Sequence, residues 1–148
     1  MTSEKTVKAV ISVLLLTFID IVLTYSLQCI ILATISDRSQ IQTNIAFIVL
    51  AGFPAVLAQI VFAVMSKKTE LFDTKDTCLI ITSNMILYIL IMLLVFEHIP
   101  IAFSLIPDAE MGLGFLQLLI KIFACAAAGI CAVVSLVVLA INRSQNTY

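Results

Sequence analysis

Apolar positions in this chain run in long unbroken blocks, separated by short polar clusters. A helix needs about 20 residues to cross a hydrocarbon core of about 30 Å. Four blocks are that long: from near Ala9 to Ile35, Thr43 to Met65, Thr77 to Phe96, and Met111 to Ile141. The clusters between them read SDRSQ (36–40), SKKTELFDTKD (66–76) and EHIPIAFSLIPDAE (97–110). In lipid the backbone must satisfy its own hydrogen bonds, so such blocks predict helices. The pattern therefore predicts an all-α fold, a single domain forming an integral membrane four-helix bundle. Pro54 is placed to kink the second helix, and the last block is long enough to tilt.

Composition agrees. The chain is 62% hydrophobic and 11% charged, against roughly 25% charged in a soluble domain. Membrane lipids are thus its solvent and first partners. Orientation follows from the placement of Lys and Arg. With four crossings, Lys5, Lys8, Lys67, Lys68, Lys75 and Arg143 share one side and Arg38 alone lies on the other, which puts both termini in the cytosol. Lys5 and Lys8 resemble the basic start of a signal peptide, but the apolar run after them is too long and lacks a small-residue cleavage site. Without Trp or an aromatic-rich basic patch, nucleic acid is not an expected partner.

Two charges interrupt the apolar blocks, Asp20 in LLLTFIDIVLTYSL and Lys121 in LQLLIKIFACAAAGICA. A charge in a membrane interior is costly and marks a functional candidate. Counted at 1.5 Å per residue from opposite ends of their helices, both lie about 14 Å deep. Thr17, Asp20, Thr24 and Gln28 form a polar stripe on helix 1. Gln117, Lys121, Ala124, Ala128, Ala132 and Ser135 form a polar and small-residue stripe on helix 4, suited to close helix approach. The expected arrangement packs helix 1 on helix 4 with Asp20 and Lys121 as an intramembrane ion pair. Such a pair either fixes which helices are neighbours or serves a proton or ion relay. Gln59, following Ala51 and Ala55, gives helix 2 an inward face. Asn84 and Tyr88 on helix 3 are candidates for interhelical hydrogen bonds.

Other chemistry finds little material. Cys125 and Cys131 are about 9 Å apart along one helix, Cys29 and Cys78 fall at opposite ends of the membrane, and no zinc spacing occurs. His98 is the single histidine, with Ser104 and Cys29 the nearest candidate nucleophiles. No enzyme activity, cofactor or metal is expected. The apolar segment after helix 3 reads as an interfacial stretch or a partner-binding surface, with Asp108 as the N-cap of helix 4.

Four-helix families with Cys-rich outer loops are set aside, because the loops here lack those cysteines. Residues 70–98, with Leu71-Phe72-Asp73-Thr74 before helix 3 and Val95-Phe96-Glu97 at its end, resemble the matching region of the transmembrane protein 107 family, tetraspans of the ciliary transition zone. The first outer loop is shorter here than that family leads one to expect, and the segment before helix 4 is longer. The resemblance implies a non-enzymatic scaffold component in cilium assembly and the membrane diffusion barrier, partnered by other transition-zone membrane proteins. The residues alone leave two readings open: a structural or assembly component of a membrane complex, or a small transporter or channel subunit using Asp20 and Lys121.

Overall fold

The computed structural model describes residues 3–34, 52–94 and 110–145. They form α1 (Ser3–Thr34), α2 (Phe53–Thr69), α3 (Thr74–Leu94) and α4 (Glu110–Gln145), with no strand among the described residues. The fold is thus the expected all-α, four-helix architecture. Asp108 and the interfacial stretch after helix 3 lie outside the described residues.

Element ends follow local chemistry. α1 starts at Ser3 rather than Ala9 and takes in both early lysines. Glu4 and Lys8 stand one turn apart with Oε1 and Nζ at 2.8 Å on an exposed face. The charged segment before the apolar block is therefore helix as well. α4 runs past the expected end at Ile141 to Gln145.

Pro54 occupies the first turn of α2, where its missing N–H would have had no helical partner. It starts the described helix instead of kinking it. Residues 35–51, Ala51 among them, lie outside the described residues. At the other end Glu70 caps α2 with φ 52° and ψ 27°, its N–H donating to the Ser66 carbonyl. A left-handed backbone suits glycine and costs a residue with a side chain about 1 kcal/mol. Leu71 N–H reaches the same carbonyl at 3.3 Å. The turn is drawn inward by Phe72, which is buried with Leu16 and Ile80 and sits 6.4 Å from the Phe62 ring, centroid to centroid.

α1 packs on α3 and α2, and α4 also packs on α3 and α2. The helices therefore stand in a ring with α1 and α4 on opposite corners. α2 and α3, though consecutive, make a sparser seam. Among the described residues the expected α1–α4 packing is thus not seen; α2 and α3 stand between the two helices. The small-residue stripe of α4 faces inward, but its Ala124 and Ala128 join Ile81, Met85, Tyr88 and Met92 of α3 and Ala55 of α2. Long methionines fill against the low relief of the alanines. At the start of α2, Gly52 lies so close to α4 that an added Cβ would fall 2.5 Å from Ala127 Cβ and 3.0 Å from the Phe123 carbonyl oxygen.

Burial is inverted relative to a water-soluble bundle. Phe18, Ile130 and Leu94 are 64%, 66% and 69% exposed, while Asp20, Thr24 and Asn84 are fully buried. A surface this apolar calls for lipid rather than water. Three segments are long and apolar enough to cross a membrane: Glu4–Leu27, Thr74–Leu94 and Lys121–Ile141. The chain is an integral membrane protein by that measure. The described part of α2 is 17 residues long.

Candidate functional site

Helical spacing places Thr17, Asp20 and Thr24 on the face of α1 that meets its neighbours, and all three are buried. Gln59 of α2 and Asn84 of α3 arrive at the same level from either side. The Gln59 Nε2 donates to Asp20 Oδ2 at 2.9 Å, and Asn84 Nδ2 donates to the same oxygen at 2.8 Å. One carboxylate oxygen thus ties three helices.

The orientation of the Asn84 amide is fixed by that bond. Its Oδ1 turns to Thr17, whose hydroxyl stands 2.6 Å away and also 2.8 Å from the Val13 carbonyl. A hydroxyl has one proton to give. The shorter contact, to Asn84, joins α1 to α3, and the other stays within α1.

The ladder continues above and below. Thr24 Oγ1 and Tyr88 Oη are 2.8 Å apart, one turn along α1 and α3 from the Asp20 level. Near the α2–α3 turn, Ser66 Oγ and Thr77 Oγ1 are 2.9 Å apart and buried. Polar rungs therefore run along the inside of the bundle, from the turn to Tyr88. Asp20 Oδ1 and Gln59 Oε1 are buried and receive no hydrogen bond from the described residues.

The expected ion pair is not seen among the described residues. Asp20 takes its hydrogen bonds from Gln59 and Asn84, and no ion pair joins it to Lys121 among the described residues. The physical reason is the ring order of the helices. Depth counted along a helix sets the level of a side chain, not which corner of the bundle it occupies. α1 and α4 stand on opposite corners, and two short amides on the intervening helices reach the carboxylate first. Lys121 is itself buried, on α4.

Of the other expected positions, Ala124 and Ala128 are fully buried and Ala132 packs half-buried against the core. The side chains of Gln117, Gln28 and Cys29 lie outside the described residues. Cys78, Cys125 and Cys131 are free thiols. Asn84 and Tyr88 make the interhelical hydrogen bonds proposed for them. The Ser66–Thr77 rung has no signal in the sequence, because both residues flank the charged turn and small hydroxyls beside lysines read as solvated. Their pairing depends on how the turn folds, which spacing along the chain does not reveal.

What this geometry does chemically is fasten. Amides, hydroxyls and one carboxylate are turned toward each other from three helices, in the part of the molecule farthest from lipid. The class it defines is a membrane-embedded helical bundle with a polar interior and an apolar coat. Compared with protein-family models, with curated proteins and with solved structures, the chain matches none.

Proposed function

We propose that this chain is a non-enzymatic structural or assembly component of a membrane protein complex. The observation that supports it is the use made of Asp20. The carboxylate is fully buried and engaged by fixed amides of two neighbouring helices, so the costly intramembrane group serves to set helix neighbours. The apolar outer faces of α1, α3 and α4 are then the surfaces offered to lipid and to other membrane proteins. The resemblance over residues 70–98 points to the ciliary transition zone as the place, and to its membrane proteins as partners.

A tagged full-length chain expressed in a ciliated cell, with proximity labelling of its neighbours, tests this reading. A band at the cilium base with transition-zone neighbours is the expected result. A diffuse plasma-membrane or endomembrane pattern would remove the ciliary assignment.

One observation favours a second reading, a small transporter or channel subunit. Gln59, which holds Asp20, also lines an open crevice between α2, α3 and α4. Ion flux through reconstituted protein that disappears in Asp20→Asn would make that reading the better one.

A further inference from the structure

The same crevice has features that the scaffold reading does not use. Its volume is about 950 Å³, at the upper end of the roughly 300–1,000 Å³ of small-molecule sites. Beyond the close contact at Gly52, the seam between α2 and α4 opens into a slot walled by Val56, Ile60, Ile81, Ile130, Val134 and Val138. The charged residues of its lining, Lys67, Glu70 and Asp73, all lie at the end where α2 turns into α3. From Lys67 to Val56 the slot runs roughly 16 Å along α2. One leaflet of a bilayer contributes about 15 Å of hydrocarbon.

We propose that this crevice seats one phospholipid with an ethanolamine head, taken from the leaflet on the side of the α2–α3 turn. Apolar walls one leaflet deep match the acyl chains. At the mouth, one ammonium and two carboxylates match a zwitterion: the lipid phosphate meets Lys67, and its ammonium meets Glu70 and Asp73. An anionic head would leave Glu70 and Asp73 of the lining without a cation. A choline head carries the right charge but has no N–H to donate to the carboxylates.

Glu70 gives independent support. Among the described residues it is the only one other than glycine with positive φ. Glycine or asparagine would hold that turn more easily. A glutamate in an unfavourable backbone state, in the lining of a cavity, is an outlier of the kind found at binding sites.

The test uses the full-length chain in detergent, with native mass spectrometry after exposure to palmitoyl-oleoyl phosphatidylethanolamine, phosphatidylcholine or phosphatidylglycerol. One tightly retained phosphatidylethanolamine, favoured several-fold over the other two, is expected. Glu70→Gly should melt at the same or a higher temperature and yet lose that preference. Ala63→Phe, which fills the slot from α2, should lower retention of every lipid. Asp73→Asn, an exposed change, should weaken the preference without affecting folding, and serves if the other variants fold poorly. Equal retention of the three lipids, preference for phosphatidylglycerol, or an undiminished ethanolamine preference in both Glu70→Gly and Asp73→Asn overturns the proposal. So does binding of free glycerophosphoethanolamine as strong as that of the lipid. None of these outcomes bears on where the protein resides in the cell.

Discussion

Replacing Asp20 by asparagine keeps an oxygen where Gln59 and Asn84 donate, and it removes the charge. The two hydrogen bonds weaken because they are no longer charge-assisted, but the burial cost of a carboxylate disappears as well. The changes oppose each other, so Asp20→Asn should unfold within about 1 kcal/mol of the native chain. Asp20→Leu strands both amides in the interior and should cost roughly 2–6 kcal/mol, at about 1–3 for each unsatisfied donor. Thermal unfolding in one detergent compares the two variants, and equal losses would mean that the amides are not holding the carboxylate. The Asp20→Asn, Lys121→Gln pair should be additive within about 0.5 kcal/mol, because Asp20 is held from α2 and α3. Rescue in the double variant would restore the ion pair that helix depth alone suggested. One rung away, Tyr88→Phe and Thr24→Val should each cost little, with a coupling of about 0.6 kcal/mol in a double-variant cycle.

Gly52 and Gly129 carry opposite expectations at the scale of helices. A methyl on Gly52 meets Ala127 and the Phe123 backbone. Backbone cannot step aside, so Gly52→Ala should force α2 off α4 and cost about 1–3 kcal/mol. A methyl on Gly129 meets nothing within 4 Å. Gly129→Ala should therefore be neutral, or stabilising by up to about 1 kcal/mol through helix propensity. Equal melting temperatures for the two variants would show that the α2–α4 contact is looser than described. At this scale the sequence was informative in a particular way. Block lengths located every helix, and the three-and-four spacing of Thr17, Asp20 and Thr24 identified the buried face of α1. The order of helices around the bundle was not legible. In lipid both the inner apolar residues and the outer coat read alike, so nothing in the pattern says which neighbour a small-residue stripe will meet. The polar residues did carry that information, since Gln59 and Asn84 lie level with Asp20, but the lysine of matching depth was the more conspicuous partner.

The whole molecule poses the question of how many times the chain crosses the bilayer. By length and apolarity three helices qualify, and three crossings would place the termini on opposite sides. α2 is described over 17 residues, about 25 Å at 1.5 Å per residue, and the apolar block continues upstream of it to Thr43. Its Gln59 bonds Asp20 at the same level as Asn84 of α3. The same helix packs on both α1 and α4. A helix that supplies a rung to the deepest polar layer cannot lie along the membrane surface, because the other two helices at that rung both span. Four crossings are therefore predicted, with both termini on the side of Lys67, Lys68 and Lys75, and the excess of Lys and Arg there predicts that this side is cytosolic. Epitope tags on the two ends should thus be stained together in cells whose plasma membrane is permeabilised, and neither should be stained in intact cells. Staining of one end alone in intact cells would leave three crossings. It would also require Gln59 to reach Asp20 from a helix that does not cross.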